Sequence, residues 1–330
     1  MRRMRILLVK TSSLGDVVHN LPVASDLRAR FPDARIDWAV EEAFAEIPRL
    51  HPAIAEVIAV ALRRWRAEPL RRRTWRTITA LRAHLRSNRY DYVIDNQGLF
   101  KSALVARLAG GTRIGLDWVS SREPLRPLYD RTVRVPWGQH AVERNRQLAA
   151  QALGYALDMP PRYGIVAPPL HASPSWAAPL REQPYAVLLH ATSASPKLWP
   201  EPRWIELGDH LQDRGLACVL PWGSTVEHER SQRIAGSLKH ALVPPRLSLS
   251  DAAAVLGRAQ IVFGVDTGLS HLAAALGAAT VGIYVSTQPA ATGLYGAPRA
   301  CNVGGRGEAP ALADVIRAER EILDRVKPTA

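Results

Sequence analysis

Four short polar segments, each directly behind an apolar run, contain the side chains of this sequence that are suited to chemistry. The segments are residues 11–16, 190–200, 221–227 and 265–271. They supply carboxylates, hydroxyl groups, a lysine and a histidine, which together can accept a proton and neutralise an anion. Ligands of open α/β sheets bind outside the carboxyl ends of strands, so these segments are the first candidates for a binding site.

The first segment, TSSLGD, ends in Asp16, where a loop turns into a helix. A carboxylate at that place can serve as a general base. Ser13 and Asp16 also have the spacing of a capping box, and an acidic residue stabilises a helix N-terminus. The sequence therefore leaves both a chemical and a structural role open for Asp16.

The second and third segments carry groups that suit a nucleotide. Thr192, Ser193 and Lys197 offer hydroxyls and an ammonium group that can cradle phosphate, although the P-loop pattern GxxxxGK[ST] is absent. Glu227 follows the Pro-Trp-Gly of the third segment, and an acidic residue there can accept hydrogen bonds from ribose hydroxyls. A polar loop with one lysine is common, and an exposed glutamate at a helix end is the alternative for Glu227.

The fourth segment is the sharpest local signal in the chain. A predicted strand ends at Asp266, and Thr267 and Gly268 begin a helix whose N-terminus favours an anion. Gly268 lets a ligand approach the backbone closely. His271 lies on the first turn of that helix, directly after the polar cluster.

The elements that position these segments are apolar runs of strand length alternating with helical stretches. The predicted strands are residues 6–9, 36–40, 92–95, 186–189, 217–220, 261–265 and 281–285. Such alternation predicts a parallel, doubly wound sheet. A proline-rich stretch over residues 157–184 separates two similar α/β halves. We expect two Rossmann-like domains, 1–165 and 166–330, that face each other across a cleft, with the last helix packing back on the N-terminal domain.

The composition excludes several classes of protein. The 330 residues are 47% hydrophobic and 22% charged, which is globular and not disordered. Cys218 and Cys301 are the only cysteines, too few for a disulfide framework, and a reducing compartment fits. No apolar run approaches the roughly 20 residues that span a bilayer, and the N-terminus does not resemble a secretory signal.

The net charge of +13 points to an anionic partner. Ten arginines and a single acidic residue, Glu68, lie between residues 63 and 89, interleaved with Trp65 and Trp75. We call residues 63–89 the basic segment. It would suit nucleic acid, an anionic membrane surface or a phosphorylated substrate, and a solvated helix face is the structural alternative.

Together the four segments resemble those of the bacterial lipopolysaccharide heptosyltransferases, which are inverting enzymes of the GT-B fold. The matching motifs are KTSSLGD at residues 10–16, the loop 192–197 and DTGLSH at 266–271, with Trp222, Gly223 and Glu227 between them. DNQGLFKS at 95–102, GLDW at 115–118 and REP at 122–124 resemble the heptosyltransferase I branch in particular. The resemblance extends from about residue 4 to residue 295, and DTGLSH is its most specific motif.

The resemblance implies transfer of heptose from ADP-L-glycero-β-D-manno-heptose to a 3-deoxy-octulosonic acid (Kdo) sugar of lipid A. It implies that Asp16 is the general base and that Lys197 neutralises the leaving diphosphate. The implied donor-binding residues are Thr192, Ser193, Lys197, Glu227, Leu247, Asp266, Thr267, Gly268 and His271. Relatives have threonine in place of Ser193 and methionine in place of Leu247, and both replacements here keep the required chemistry.

The resemblance also implies that the first domain binds the acceptor and the second the donor. The implied acceptor-binding residues are Ser13, Gly15, Arg63, Arg64, Lys101 and Arg122. No cofactor or metal ion is implied, since a DxD pair is absent from the sequence. The expected partners are ADP-heptose, Kdo-lipid A and the anionic inner-membrane surface, but not nucleic acid. The expected location is cytoplasmic, peripheral on the inner face of the bacterial inner membrane.

Three other functions stay open at the level of the sequence. A heptosyltransferase II would use the same donor with an acceptor that already carries a heptose. A nucleotide-sugar epimerase of the same two-domain fold would release sugar without an acceptor. A basic nucleic-acid-binding protein would use the basic segment and its tryptophans, but no RRM, helix-turn-helix or zinc-finger pattern is present.

Overall fold

The computed structural model describes residues 3–170, 175–192 and 194–324. The chain divides into two compact units between Ile165 and Val166, within the proline-rich stretch. Among the described residues, no helix is both long and apolar enough to cross a bilayer.

The first unit is a six-stranded parallel sheet with helices between its strands. Its strands are β1 (Arg5–Val9), β2 (Arg35–Glu41), β3 (Ile54–Val60), β4 (Tyr92–Asp95), β5 (Thr112–Leu116) and β6 (Arg131–Val133). Its helices are α1 (Leu14–His19), α2 (Leu21–Arg30), α3 (Glu46–Arg49), α4 (Leu62–Ala67), α5 (Arg72–Ser87), α6 (Phe100–Leu108) and α7 (Ala141–Leu153). The strand order is β3-β2-β1-β4-β5-β6.

The second unit repeats this architecture. Its strands are β7 (Tyr185–Leu189), β8 (Ala217–Val219), β9 (Ala241–Leu242), β10 (Ile261–Val265), β11 (Thr280–Tyr284) and β12 (Ala300–Gly304). Its helices are α8 (Pro179–Glu182), α9 (Glu201–Asp213), α10 (Thr225–Ala235), α11 (Leu249–Arg258), α12 (Gly268–Ala275), α13 (Pro289–Thr292) and α14 (Leu312–Asp324). The strand order is β12-β11-β10-β7-β8-β9, again with all neighbours parallel.

The central strands are apolar because helices cover both faces of each sheet. β7 reads YAVLL and β10 reads IVFGV, and every residue in both strands is buried. Behind the second sheet, the rings of Trp199 and Trp204 pack edge to face with their centroids 5.3 Å apart. Burial of such large side chains supplies most of the driving force for folding of each unit.

Both sheets reverse their winding direction at one place, between β1 and β4 in the first unit and between β7 and β10 in the second. At such a switch point the two loops that leave the carboxyl ends of the strands diverge and open a crevice for a ligand. The polar segments predicted from the sequence follow β1, β7 and β10, so the fold places them at these two switch points.

The last helix packs on elements of its own unit. α14 packs on α9, β11 and β12 of its own unit, and Val315 and Ile322 belong to the core of the second sheet. The apolar stripe of α14 is buried against the second sheet. The expected packing of the last helix on the N-terminal domain stays a prediction.

Candidate functional site

Asp266 is the centre of a polar cluster at the switch point of the second sheet. It follows β10, and its Oδ2 accepts hydrogen bonds from Lys197 Nζ at 2.7 Å and from Thr287 Oγ1 at 2.8 Å. The Nε2 atom of His271, one turn into α12, lies 3.6 Å from Oδ1. Residues predicted from two separate segments of the sequence thus meet around one carboxylate, and Thr287 joins them without having been predicted.

The environment of Asp266 keeps its side chain ionised. Burial alone would raise the pKa of the carboxyl group, but the nearby imidazole of His271 and the hydrogen bonds from Lys197 and Thr287 outweigh it and hold the pKa below its ordinary value. The anion in turn fixes the ammonium group of Lys197, whose side chain remains about one-third exposed. A fixed and accessible cation beside a helix N-terminus is suited to a phosphate group.

Helix α12 begins directly behind this cluster and sits unusually close to its strand. Thr267 is the N-cap residue, and Gly268 is the first residue of the helix. Ser270 Oγ donates to the Val265 carbonyl at 2.8 Å, and a Cβ atom on Gly264 would lie only 2.1 Å from that Oγ. The glycine in β10 therefore permits this close packing, which directs the free N–H groups of α12 toward the switch point.

The loop after β7 is tied to its neighbours on both sides. Thr192 Oγ1 donates to the Asp266 carbonyl at 3.1 Å. His190 is fully buried, and its Nε2 atom lies 2.8 Å from Ser231 Oγ on α10. Burial lowers the pKa of His190 to about 4, so the ring is neutral at pH 7. Ser193, which the sequence also assigned to this site, lies outside the described residues.

Glu227 caps the start of helix α10, which is the structural role that the sequence left open for it. Its Oε2 atom accepts hydrogen bonds from the backbone N–H groups of Gly223, at 2.7 Å, and Ser224, at 3.1 Å, in a capping box at the start of α10. The ribose role remains a prediction. Leu247 is half-buried immediately before Ser248, the N-cap residue of α11.

Asp16 follows β1 at the switch point of the first sheet, and it also caps a helix. Its Oδ2 atom accepts hydrogen bonds from Ser13 N at 2.8 Å and from Ser13 Oγ at 3.0 Å. The capping box predicted from the sequence is therefore present at the start of α1. Gly15 lies in the first turn of the same helix. The carboxylate is half-buried, so capping and accepting a proton are compatible at this position.

The loop that carries Asp16 is braced by the loop after β4. Gln97 Oε1 accepts hydrogen bonds from the N–H groups of Thr11 at 3.1 Å and Ser12 at 3.0 Å. Lys101 Nζ on α6 donates to Ser12 Oγ at 2.6 Å. Lys10 is buried, donates to the Asn96 carbonyl at 2.8 Å, and has its pKa lowered by that burial. Gln97 and Lys10 belong to the quoted motifs, but neither was predicted as a site residue.

The other predicted acceptor residues lie on elements that follow strands of the first sheet. Arg63 and Arg64 lie on α4, which comes directly after β3; the Arg63 guanidinium stacks on Phe44 at 5.2 Å, and Arg64 is 3.2 Å from Glu42. Arg122 is exposed in the loop between β5 and β6. No hydrogen bond or ion pair joins these three arginines to Asp16 in the described residues, although the charges of Asp16 and Arg122 both act on Lys10. The described part of the chain contains no group of three or more His, Cys, Asp or Glu side chains that could hold a metal ion.

Comparison with known proteins gives consistent matches over the chain. The model of the glycosyltransferase family 9 (heptosyltransferase) matches residues 78–320. Lipopolysaccharide heptosyltransferase 1 of Pseudomonas aeruginosa is 49% identical over 89% of this chain and 82% of its own length. Lipopolysaccharide heptosyltransferase 2 of Escherichia coli K12 is more distant, at 26% identity over 87% of this chain and 84% of its own.

Solved structures agree with the fold. The E. coli heptosyltransferase WaaC with ADP is 40% identical and has a TM-score of 0.88, covering 98% of this chain and all of that one. WaaC with ADP-2-deoxy-2-fluoro heptose is 39% identical with a TM-score of 0.82, over 98% and 99% of the two chains. The GT-B fold class expected from the sequence, with two Rossmann-like α/β domains, is thereby confirmed.

Proposed function

The chain belongs to glycosyltransferase family 9 (heptosyltransferase), and from this membership we propose that it transfers heptose from ADP-heptose to Kdo-lipid A in synthesis of the lipopolysaccharide inner core. The observation that carries the proposal is the Lys197–Asp266 pair beside the N-terminus of α12, at 2.7 Å. It provides a fixed cation and free N–H groups for a diphosphate. The E. coli relative solved with an ADP-heptose analogue supports the same donor for this chain.

In this proposal the second unit binds the donor. Lys197 and the first N–H groups of α12, at Thr267 and Gly268, neutralise the charge that develops on the diphosphate as the bond to the sugar breaks. Thr192 and Ser193 add hydroxyl donors in the same loop. Further along the donor, Asp266 and His271 hold the heptose, Glu227 the ribose and the backbone at Leu247 the adenine.

The first unit supplies the general base. Asp16 accepts the proton of the acceptor hydroxyl while the acceptor oxygen forms its bond to the anomeric carbon of heptose. The bond between that carbon and the diphosphate oxygen breaks in the same displacement, and ADP leaves as the anion. Attack from the face opposite the leaving group inverts the anomeric configuration. Ser13 and Gly15 lie beside Asp16 and contact the acceptor in this scheme.

We further propose that the reaction needs no divalent metal ion. A metal in sugar-diphosphate chemistry serves to neutralise the leaving group. Here the ammonium group of Lys197 is already held at the site by Asp266, and the N-terminus of α12 adds positive potential. These two features support the proposal that the protein itself neutralises the leaving diphosphate.

The acceptor and the location of the protein are the finer parts of the proposal. The 49% identity to a heptosyltransferase 1, against 26% to a heptosyltransferase 2, favours Kdo-lipid A without a first heptose as the acceptor. Arg63, Arg64, Lys101 and Arg122 offer positive charge for its carboxylates and phosphates. We propose that the protein works at the cytoplasmic face of the inner membrane, bound peripherally to its anionic surface, and that nucleic acid is not its partner.

The test is transfer from ADP-heptose to two acceptors, Kdo-lipid A with and without a first heptose. Mass spectrometry of the lipid should show one added heptose on the unheptosylated acceptor and release of ADP in equal amount. Transfer only to the heptosylated acceptor would assign the type II reaction instead. Conversion of the nucleotide sugar without an acceptor would indicate an epimerase, and either result would refute the proposal.

A further inference from the structure

The first unit exposes a group of large apolar side chains that has no role in the proposed reaction. We call it the aromatic rim and define it as Phe100, Leu104, Trp118, Val119 and Trp137. Trp118 is 71% exposed and Trp137 is 49% exposed. Single exposed apolar residues are ordinary, but several large ones close together mark a surface that contacts a partner.

The topology brings the aromatic rim to one edge of the sheet. Phe100 is the first residue of α6, behind β4; Trp118 follows β5; and Trp137 follows β6. These strands are adjacent and parallel in the order β1-β4-β5-β6, so the loops behind them leave the same edge. Asp16 lies at that edge, behind β1. Lys101, the next residue after Phe100, donates to Ser12 and so joins α6 directly to the loop of Asp16.

The ring of Trp137 is held in place by the groups around it. Trp137 Nε1 donates to the Val119 carbonyl at 2.7 Å. The guanidinium of Arg144 stacks on the Trp137 ring at 4.1 Å and donates to the carbonyls of Ser120, at 2.8 Å, and Val135, at 3.2 Å. Trp137 is thus fixed in an outward position, and it fixes Val119 beside Trp118.

Basic residues outnumber acidic residues in the part of the sequence that carries the rim. Residues 97–144 include eight arginines and lysines but only four acidic residues. Arg122 and Arg126 are exposed, and within the described parts of the chain no ion pair engages either of them. Indole rings among arginines suit the headgroup level of an anionic bilayer, where the rings contact the acyl boundary and the guanidinium groups contact phosphates.

We propose that the aromatic rim inserts into the headgroup region of an anionic bilayer and holds the edge that carries Asp16 at the membrane surface. This inference rests on the proposed function for its purpose, because a glycolipid acceptor presents its sugar directly above the bilayer. The basic segment lies behind β3, at the other end of the same edge. It contributes charge together with the exposed side chains of Leu70 and Trp75, and the rim contributes further apolar contact with the lipid.

The experiment is flotation of the full-length protein with phosphatidylcholine vesicles that contain or lack phosphatidylglycerol. The double variant Trp118→Ser/Trp137→Ser should bind anionic vesicles about tenfold more weakly than the parent, a loss of about 1.4 kcal/mol. Trp118→Phe/Trp137→Phe should retain vesicle binding, because each indole ring is replaced by another apolar aromatic ring. The matched control is Val166→Ser/Val226→Ser, which removes two similarly exposed apolar side chains from the second unit and should bind as the parent does.

Bromine-labelled acyl chains provide a second readout that does not depend on activity. They should quench the fluorescence of the parent, and the Phe variant should bind with weaker quenching because its rim lacks indoles. Parent-like vesicle binding by the Ser variant would overturn the proposal.

A soluble, deacylated acceptor tests whether the aromatic rim contacts the bilayer or the acceptor sugar. The Ser variant should keep the parent rate on that acceptor and lose rate only on acceptor embedded in vesicles. An equal loss on both would make the rim a sugar-binding surface and refute the inference. Failure of heptose transfer by the parent itself would refute the proposed function and leave the vesicle measurement standing.

Discussion

Lys197 and Asp266 are 69 residues apart in the chain, yet the ammonium nitrogen of one lies 2.7 Å from a carboxylate oxygen of the other. They meet because β7 and β10 are neighbours at the switch point, so the loops behind them share one crevice. The lysine alone would be a mobile surface cation. Held by a buried anion, it is a charge whose position is fixed before a ligand arrives, which is what electrostatic catalysis requires.

Replacement of Lys197 should weaken donor binding and slow transfer together, because its charge acts on the diphosphate before and during bond breakage. We expect Lys197→Ala to lower kcat by roughly 10²–10³-fold, as for loss of one preorganised donor. Lys197→Arg should restore only part of the rate, since a planar guanidinium does not replace a compact ammonium. Lys239→Ala removes an exposed lysine of the same unit and serves as the control. Parent-like ADP binding and kcat in Lys197→Ala would exclude the residue from the site.

The buried Asp266 should make the second unit sensitive to acid. Its pKa is lower in the folded protein than in the unfolded chain, so its ionisation stabilises the fold at neutral pH. That contribution is complete above the ordinary aspartate pKa and is lost as the pH falls from there toward the lowered value. The free energy of unfolding of the parent should therefore decrease with acid more steeply than that of Asp266→Asn. Parallel pH profiles of the two proteins would contradict this account.

Thr287 should matter through Asp266 and not by contact with the reacting atoms. Its hydroxyl donates to the carboxylate oxygen that also holds Lys197. Thr287→Val keeps the shape of the side chain and removes the hydrogen bond, so the carboxylate and its lysine should be less well fixed. We expect a several-fold weaker affinity for ADP by calorimetry, with Thr287→Ser close to the parent. Equal loss in the valine and serine variants would point to packing instead.

A test of Asp16 requires a variant that loses the proposed general-base function but keeps the helix cap. Asp16→Asn keeps a side-chain oxygen for Ser13 N but cannot take a proton, so it should retain stability and lose roughly 10²–10⁴-fold in kcat. Asp16→Ala should also lose about 0.5–2 kcal/mol of stability with the cap. Asp314, which accepts from Ala311 N at the start of α14, is the matched control. Asp314→Ala should lose stability but not rate. Near-normal kcat in Asp16→Asn would exclude the general-base role and leave helix capping as the only role of Asp16.

The sequence predicted the strands that are buried on both faces and missed those that are not. All seven predicted strands are present within about two residues of their predicted bounds, because their apolar runs are continuous. The five missed strands are β3, β5, β6, β9 and β12. Four of them carry a polar or charged side chain, Glu56, Arg113, Arg131 or Asn302, and β9 is only two residues long, so none produces such a run. All but β5 are edge strands, and an edge strand buries less surface.

The site was predictable where a motif directly follows a strand and hidden where only the tertiary fold creates it. Asp266 and Asp16 could be found because each lies between an apolar run and a helix. Thr287 lies in a short polar loop behind β11 that resembles no motif, and nothing in the sequence around it indicates that its partner is Asp266, behind β10. The packing of α14 on β11 and β12 was likewise not readable from the sequence, because a helical stripe specifies burial but not which strands bury it.

Metal removal tests the proposed charge neutralisation. If Lys197 and the N-terminus of α12 suffice for the leaving diphosphate, transfer should continue at the same rate after dialysis against EDTA. A complete loss of activity that returns with added magnesium or manganese would show that a divalent ion is required. The Lys197→Ala protein is the informative comparison, because partial rescue of that variant by a divalent ion would locate the missing charge at the diphosphate.

The basic segment should bind the acceptor membrane through those arginines that are not already paired. Arg64 lies 3.2 Å from Glu42 and Arg71 lies 3.5 Å from Glu68, so part of the positive charge is paired with acidic side chains of the protein. Arg66, Arg72 and Arg73 are exposed, and each is worth roughly 1 kcal/mol near an anionic surface. Replacing these three with serine should raise the apparent KM for Kdo-lipid A in vesicles and leave the KM for ADP-heptose unchanged.

The matched control for the basic segment removes the same charge from the other unit. Arg181, Arg306 and Arg320 are also exposed, and replacing them with serine lowers the net charge equally. If location matters, this triple variant should keep the parent KM for the acceptor. High salt should raise the apparent KM of the parent for the acceptor toward that of the Arg66/Arg72/Arg73 variant, because exposed charges are screened within about 8–10 Å at physiological ionic strength. Equal effects of the two triple variants would mean that net charge alone, and not the basic segment, draws the protein to the membrane.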